Sequence, residues 1–151
     1  MIVCVTGSVC TGKTRIAKII ARKYRLKYVD VNKEIKKNKI CDNYDRSLKS
    51  YVVNMNKLNN FFIKLINKNK NLVLDSHLSH YLNKKYVDLC VVVKCDIKVL
   101  RKRLEKRKYD KKKIRENLDA EIFDVCLVEA TELGHKVKVI DTTHGIKSVN
   151  L

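Results

Sequence analysis

The chain has 151 residues, of which 45% are hydrophobic and 33% are charged. A chain of this length buries one sizeable core but not two, so we expect a single domain over residues 1–151. No apolar run approaches the roughly 18 residues of a membrane span. The first apolar run begins at residue 2 and leaves no room for a leader peptide. We therefore expect a cytoplasmic protein with no membrane partner.

The net charge is +18, because 34 Lys and Arg stand against 16 Asp and Glu. Such a charge attracts polyanions, and RNA is one candidate. The basic residues are spread along the whole chain, however, and no aromatic RNA-reading motif is present. RNA contact and a merely solvated positive surface are therefore both open alternatives.

Six cysteines are scattered without a Cys-x-x-Cys pair or a Cys/His cluster at zinc spacing. This pattern predicts reduced, mostly buried thiols. Cys10 is the exception, because a neighbouring Lys13 and a helix start favour a thiolate. The alternative is that Cys10 is a passive loop residue.

Residues 7–14 (GSVCTGKT) match the phosphate-binding pattern G-x-x-x-x-G-K-[ST]. The β-branched run at residues 2–5 precedes them, and apolar residues at helical spacing follow between positions 16 and 21. Strand, glycine loop and helix thus come in the order that this motif requires. The pattern predicts backbone N–H groups wrapped around a phosphate at the start of a helix.

The loop residues have separate predicted roles. Lys13 brings positive charge to the terminal phosphates of ATP, and the Thr14 hydroxyl is placed to bind Mg²⁺. The nucleotide-binding residues predicted in this part of the chain are Gly7, Cys10, Gly12, Lys13, Thr14 and Arg15.

The remaining chain alternates between strand and helix patterns. Strands are predicted at residues 26–31, 72–75, 88–93 and 137–140, and helices at 55–66, 96–107 and 113–132. Residues 32–51 are polar and Lys-rich, and we expect a mobile insertion there with one short helix. The alternation predicts an α/β fold with a parallel five-stranded sheet flanked by helices.

Asp75 stands at the carboxyl end of a predicted buried strand. In a sheet that also carries a phosphate loop, a carboxylate there holds magnesium-bound water. The alternative is that Asp75 caps the turn at Ser76. His77 follows the same strand line and could approach the terminal phosphate, whereas we expect His80 at the surface.

Motifs along nearly the whole chain resemble the adenylate kinase isoenzyme 6 family. They are GSVCTGKT at residues 7–14, KYVDV at 27–31, DNYD at 42–45, DSH at 75–77, RLEKRKY at 103–109, KIREN at 113–117, AEI at 120–122 and EA at 129–130. The resemblance implies the P-loop NTPase fold, with an NMP-binding segment at about residues 30–53 and a lid at about 106–116. It also implies adenylate kinase and ATPase activity, and a role in maturing the small ribosomal subunit through ribosomal protein uS11 and pre-ribosomal RNA.

The chain departs from the family pattern at three places. Ser8-Val9 replaces Thr-Pro in the phosphate loop, and the lid signature Arg-Gly-Tyr occurs as Arg107-Lys108-Tyr109. Where related kinases clamp AMP with Arg, this chain offers Lys36, Lys37 and, later, Arg46. Lys cannot form the bidentate fork to phosphate that Arg forms, which leaves the AMP-clamping residues undetermined.

The predicted transfer from ATP to AMP requires positive charge rather than covalent help. We expect Lys13, Mg²⁺ and Arg107 to supply that charge, and His77 to orient a water for hydrolysis. Arg103 and Arg107 are four residues apart, which places them on one helix face for contact with phosphate and adenine. A solvated basic helix face is the alternative.

Two other functions are also open at this point. The chain could be an ATP-driven ribosome assembly factor with incidental kinase activity, or a P-loop kinase for another small acceptor. For the assembly role, a predicted acidic helix face would receive a basic tail of uS11, with a solvated surface as the alternative. The carboxylates of this face are Glu116, Asp119, Glu121, Asp124, Glu129 and Glu132.

Overall fold

Strands and helices alternate along a computed structural model that describes residues 1–45, 50–146 and 149–151. The strands are β1 (Ile2–Thr6), β2 (Lys27–Asp30), β3 (Cys41–Asp45), β4 (Ser50–Val53), β5 (Leu72–Asp75), β6 (Leu89–Lys94) and β7 (Val137–Asp141). The helices are α1 (Lys13–Lys23), α2 (Val31–Lys37), α3 (Met55–Lys68), α4 (Ile97–Lys106), α5 (Lys111–Ile122) and α6 (Val125–Glu132). Across the described residues, every helix falls short of the length and apolar content needed to span a bilayer.

Five strands form one parallel sheet in the order β2-β5-β1-β6-β7. This confirms the predicted parallel α/β sheet. β1 lies in the centre, and the chain crosses to one side of it for β2 and β5 and to the other side for β6 and β7. In such sheets, ligands bind at the carboxyl ends of the strands where the direction of winding changes. The loop after β1 is at that place.

Both faces of the three central strands β5, β1 and β6 are buried, which explains the continuous apolar runs in these strands. On one face, Cys4 of β1 packs in a cluster with Leu58 and Phe62 of α3. On the other face, Val3 and Val5 pack in a cluster that includes Ile16 and Ile20 of α1. The strand that leads into the phosphate loop is therefore held between two cores.

The segment between β2 and α3 differs in part from the prediction. The expected short helix is α2, which Asp30 caps by accepting a hydrogen bond from the Lys33 backbone N–H at 3.0 Å. An antiparallel ribbon of β3 and β4 follows, and we did not predict it. The sequence CDNYD lacks apolar alternation, so only the backbone pairing reveals this strand. Arg46, a predicted AMP clamp, lies outside the described residues.

The predicted helix over residues 113–132 is two helices. α5 ends at Ile122, Asp124 adopts a left-handed conformation with φ of 52°, and α6 begins at Val125. Asp tolerates this conformation better than most residues, and its carboxylate forms an ion pair with Lys94. Neither glycine nor proline marks the break in the sequence.

This break shows that the prediction of a single acidic face was wrong. Glu121 is buried at 6% exposure, and Glu129 turns inward to the ring of His80. Asp119 pairs with Arg115 along α5 at 2.9 Å. The carboxylates are divided among separate environments and do not form one continuous docking surface.

Candidate functional site

A cavity of about 1080 Å³ opens at the carboxyl ends of β1, β2 and β5. It brings together most of the predicted site residues. Its lining includes Cys10, Gly12, Lys13, Thr14, Arg15, Asp75, His77 and Arg107, and also Val9, Lys18, Ile19, Arg22, Asp30, Asn32, Lys33, Lys36 and Tyr109. Gly7 and Arg103 are predicted site residues that do not line it.

The phosphate loop depends on two glycine conformations. Gly7 has φ of 138°, and a Cβ there would lie 2.3 Å from the backbone oxygen of Val93. Gly12 has φ of 100° at the start of α1. Gly7 therefore lets the loop pass close to β6 and does not face the cavity, while Gly12 turns the chain into the helix.

Lys13 is held inside the loop. Its Nζ donates a hydrogen bond to the backbone oxygen of Ser8 at 2.7 Å, and Thr11 Oγ1 donates to the same oxygen at 2.9 Å. Burial lowers the pKa of Lys13, and the negative charge of Asp75 partly opposes this effect. A bound phosphate would add further negative charge and favour the ammonium form.

Asp75 is the last residue of β5 and is 5% exposed. Tyr28, on the neighbouring strand β2, donates a hydrogen bond from its hydroxyl to Asp75 Oδ2 at 2.8 Å. Burial and this bond to the carboxylate raise the pKa of Tyr28. The Ser76 backbone N–H donates to Val5, at 3.2 Å, and is not capped by Asp75. The structure thus favours a carboxylate oriented by Tyr28, a residue that the sequence analysis missed.

Thr14 and Asp75, whose side chains both carry oxygen ligands, line the same cavity. Hard oxygen ligands suit Mg²⁺, which usually takes one or two carboxylates and completes its shell with water and phosphate oxygens. Within the described ranges, no group of three or more His, Cys, Asp or Glu could hold a metal by itself. The donor set therefore fits a magnesium ion that arrives with a nucleotide.

His77 lies on the cavity wall and is an exposed residue. Partial desolvation by the surrounding protein, followed by the charge of Lys13, lowers the pKa of His77 to about 4. The imidazole is therefore neutral near pH 7 and has a ring nitrogen available to accept a proton or a hydrogen bond.

His80 is buried at 1% exposure, so the prediction of a surface position was wrong. Its Nδ1 lies 2.8 Å from Thr6 Oγ1 and its Nε2 lies 2.9 Å from Glu129 Oε2. Burial lowers the pKa of His80, against the opposing effect of Glu129. The ring joins the end of β1 to α6 and has a structural role outside the cavity.

The two predicted arginines separate. Arg107 lines the cavity immediately after the end of α4. Arg103 instead donates from Nη2 to the backbone oxygen of Thr142 at 2.8 Å and from Nη1 to Thr142 Oγ1 at 3.0 Å. Thr142 Oγ1 in turn donates to the Thr11 backbone oxygen at 2.5 Å. Arg103 therefore supports the phosphate loop from its side, and its predicted contact with the nucleotide stays a prediction.

For Cys10 the structure favours the alternative of a passive loop residue. Desolvation raises the pKa of the Cys10 thiol, although Arg107 and Lys13 oppose this effect. The neutral thiol is therefore favoured over the predicted thiolate. Cys10 has φ of 68°, so the loop holds a residue other than glycine in the left-handed region.

The cavity has two unlike walls. The phosphate-loop wall consists of Cys10, Gly12, Lys13 and Thr14, with Asp75 and His77 beside it, and the α2 wall consists of Asp30, Asn32, Lys33 and Lys36. Among the described residues that line the whole cavity, seven cationic side chains stand against the carboxylates of Asp30 and Asp75. The excess positive charge fits a ligand with several phosphates.

Arg22 and Lys18 of α1 were not predicted, although their spacing places both on one helix face with Arg15.

The chain is similar to proteins named as adenylate kinases. Residues 3–124 match the AAA domain family. The chain is 39% identical over 144 residues to a putative adenylate kinase of Methanocaldococcus jannaschii, covering 95% of this chain and 78% of that protein. It is 36% identical over 126 residues to an adenylate kinase isoenzyme 6 homolog of Dictyostelium discoideum, and the match covers 83% of this chain and 71% of that protein.

The fold also resembles a solved structure, that of the YorR protein of Bacillus subtilis in complex with phosphorylated GDP. The TM-score is 0.59 and the sequence identity is 16%, with 93% of this chain and 85% of that chain covered. At this identity the likeness concerns the fold alone.

Proposed function

The chain belongs to the adenylate kinase isoenzyme 6 family of P-loop nucleotide kinases, and from this premise we propose that it transfers the terminal phosphoryl group of ATP to AMP, giving two ADP. One observation carries the proposal. Lys13, Asp75, His77 and Arg107, which are far apart in the sequence, line one cationic cavity at the carboxyl end of the sheet.

On the donor side, the phosphate-loop wall would bind the phosphates of ATP. Backbone N–H groups at the start of α1 and the ammonium of Lys13 would offset the charge on the equatorial oxygens of the group in transfer. Arg107 would add positive charge from the residues between α4 and α5 when they close over the nucleotide. These groups would position the phosphates of ATP and stabilise the charge of the transition state. The transfer requires no covalent step on the protein.

Thr14 and Asp75 would hold Mg²⁺ in this proposal, and the ion would neutralise charge on the β- and γ-phosphates. Tyr28 would keep the Asp75 carboxylate in one orientation through the hydrogen bond to Oδ2. This leaves Asp75 Oδ1 for the ion or for its water.

On the acceptor side, Lys33 and Lys36 of the α2 wall would bind the phosphate of AMP as point charges. An AMP phosphate is already anionic and requires no general base. The contribution of the protein is therefore to hold acceptor and donor in line.

A second candidate is ATP hydrolysis coupled to assembly of the small ribosomal subunit, with ribosomal protein uS11 and pre-ribosomal RNA as cytoplasmic partners. The observation that favours it is the neutral ring of His77 on the cavity wall. Unlike AMP, water must be oriented for attack, and a neutral imidazole can accept a hydrogen bond from that water and hold it in line. Lys36 of the α2 wall, which stands with Lys37 where related kinases clamp AMP with Arg, also favours an enzyme with weak AMP affinity.

One assay separates the two candidates. Purified protein is supplied with ATP and Mg²⁺, with and without AMP, and ADP and free phosphate are measured separately. We expect AMP-dependent formation of two ADP for each ATP consumed, with little free phosphate. Free phosphate at a rate that does not depend on AMP would instead favour the hydrolytic candidate. An absence of both products would contradict both.

A further inference from the structure

A buried carboxylate outside the cavity holds the phosphate loop from behind. Glu121 lies in the last turn of α5, and its Oε2 accepts a hydrogen bond from Ser8 Oγ at 2.6 Å. Its Oε1 accepts from the Cys95 backbone N–H at 2.9 Å. Burying a carboxylate is costly unless hydrogen bonds compensate, and here both oxygens are satisfied. This arrangement is specific and differs from that of a solvated helix residue.

Ser8 connects this carboxylate to the ammonium of Lys13. The Ser8 hydroxyl is bonded to Glu121, while the Ser8 backbone oxygen accepts from Lys13 Nζ at 2.7 Å. Both contacts belong to one residue, so a shift of Ser8 would move the acceptor on which Lys13 rests. Glu121 thereby fixes one end of a short chain of contacts that ends at the proposed phosphate-binding ammonium.

The second contact of Glu121, with the Cys95 N–H, joins the start of α4 to the end of α5, which we call the base of the α4–α5 pair. Cys95 immediately precedes Asp96, which caps α4, and Glu121 is near the end of α5. The two helices share a small core that includes Leu100 and Leu118. The residues that connect them, 107–110, include Arg107 on the cavity. One carboxylate therefore ties the base of this pair to the phosphate loop.

We propose that Glu121 is a positioning residue that keeps Ser8 and the α4–α5 pair in a fixed relation, so that Lys13 and Arg107 reach the same terminal phosphate. This rests on the proposed function, and it names a residue that sets the geometry of ATP binding without touching ATP. A loss of Glu121 should affect the parameters for ATP and leave those for AMP unchanged, because the α2 wall is supported by other residues.

The experiment compares Glu121→Ala, Glu121→Gln, Ser8→Ala and the double variant Ser8→Ala/Glu121→Ala. Glu105→Gln, at an exposed position on the partner helix α4, is the matched control. Steady-state assays give kcat and KM for ATP and for AMP, a fluorescent ATP analogue gives binding, and thermal melting checks the fold.

Glu121→Ala is expected to raise KM for ATP about tenfold, since it leaves Ser8 and the Cys95 N–H without partners. Glu121→Gln is expected to stay within about threefold of wild type, because its amide oxygen can accept from Cys95 and its amide nitrogen can donate to Ser8 Oγ. The double variant should be no worse than Glu121→Ala, because both changes remove the same contact. KM for AMP should match wild type in these variants, and the Glu105→Gln control should match wild type throughout.

Three outcomes would overturn the inference: a folded Glu121→Ala with wild-type KM for ATP, effects of Ser8 and Glu121 that multiply, or equal changes in KM for ATP and AMP. Should Glu121→Ala fail to fold, Ser8→Ala decides, and a wild-type KM for ATP in that variant would count against the proposal. A wild-type protein that neither binds the ATP analogue nor forms ADP overturns the proposed function itself. That result is seen before any variant is compared.

Discussion

The phosphate-loop wall and the α2 wall of the cavity are built differently. On the phosphate-loop wall, Lys13 and Asp75 each have a hydrogen-bond partner, and Gly7 and Gly12 allow the positive φ angles of the loop. On the α2 wall, Lys33 and Lys36 are exposed on a helix of seven residues, and neither ammonium has a hydrogen bond or ion pair among the described residues. The charged groups of the first wall are fixed by contacts with other parts of the protein, whereas the two ammonium groups of the second wall extend from their helix without such contacts among the described residues.

This difference suggests separate roles, with the phosphate-loop wall serving the chemical step and the α2 wall serving the selection of the acceptor. Preorganised charge stabilises a transition state without reorganisation cost, whereas flexible lysines accept an anion of variable shape. Changes to the phosphate-loop wall should therefore impair every reaction of the site. Changes to the α2 wall should affect only the reaction that uses AMP.

Replacing Lys13 tests the first half of this comparison. We expect Lys13→Ala to reduce both transfer and hydrolysis by about a thousandfold, because the charge on the transferred phosphoryl group loses its closest protein cation. Its melting temperature should stay near that of wild type, since Lys13 makes one hydrogen bond. Lys64→Ala, at an exposed position on α3, is the control. Wild-type turnover in folded Lys13→Ala would contradict the phosphate-loop assignment.

Arg107→Ala tests whether the residues after α4 act with the same wall. We expect kcat to fall about a hundredfold and KM for ATP to change little, because this cation meets the phosphates chiefly on closure. Steady-state kinetics beside Arg101→Ala, an exposed α4 position, provide the measurement and its control. A change in KM for ATP alone would make Arg107 a ground-state contact.

His77→Ala should divide the two reactions. Hydrolysis is expected to fall about tenfold, and transfer to AMP is expected to remain near wild type, since only water requires an orienting base. The pKa of His77 is about 4, so the ring is neutral from about pH 6 to pH 8 and its contribution should be constant there. As the pH falls towards about 4, the ring gains a proton and the difference between wild type and variant should shrink. Equal losses in both reactions would assign His77 to ATP binding.

Tyr28→Phe removes one hydrogen bond from the phosphate-loop wall without changing the shape of the ring. We expect the Mg²⁺ concentration for half-maximal activity to rise about threefold to tenfold, because Asp75 loses the contact that orients it. Binding of Mn²⁺, followed by electron paramagnetic resonance, should weaken in parallel. Tyr24→Phe is the matched control, since that hydroxyl contacts the Leu151 backbone N–H. An unchanged metal affinity would show that Tyr28 is only a packing residue.

The smallest effect is expected on the α2 wall. Lys36→Arg should lower KM for AMP about threefold to tenfold, because Arg can form a bidentate contact with phosphate, and hydrolysis should not change. Lys37→Arg, whose position is exposed and does not line the cavity, serves as the control. An equal decrease in KM for AMP in both variants would mean that the effect is not specific to Lys36. Lys36 would then not belong to the acceptor site.

The same two walls show what the sequence could predict. The phosphate loop was predictable because its function requires particular residues at fixed spacing, and its strand has a continuous apolar run. Asp75 followed from its place at the end of such a run. On the α2 side, the β3–β4 ribbon was not predicted, because residues 41–45 have no apolar alternation. Only the pairing of the two strands defines the ribbon.

Buried polar residues were the other failure. Glu121 is predicted on an exposed acidic face because carboxylates at spacings of three and four are typical of helix surfaces, and its partners Ser8 and Cys95 are far away in sequence. His80 is predicted at the surface, although Thr6 and Glu129 satisfy its ring. Partners of this kind become visible only when the chain is folded.

Lys108 occupies a left-handed conformation with φ of 57°, directly after Arg107 and at the position where the resemblance leads us to expect glycine. Glycine populates both signs of φ freely, whereas a lysine has far fewer accessible backbone states. The segment that carries Arg107 therefore has less conformational entropy to lose when it orders around a nucleotide. We expect this to slow the opening of the segment, so that the residence time of bound ADP, more than the chemical step, limits how often the enzyme turns over.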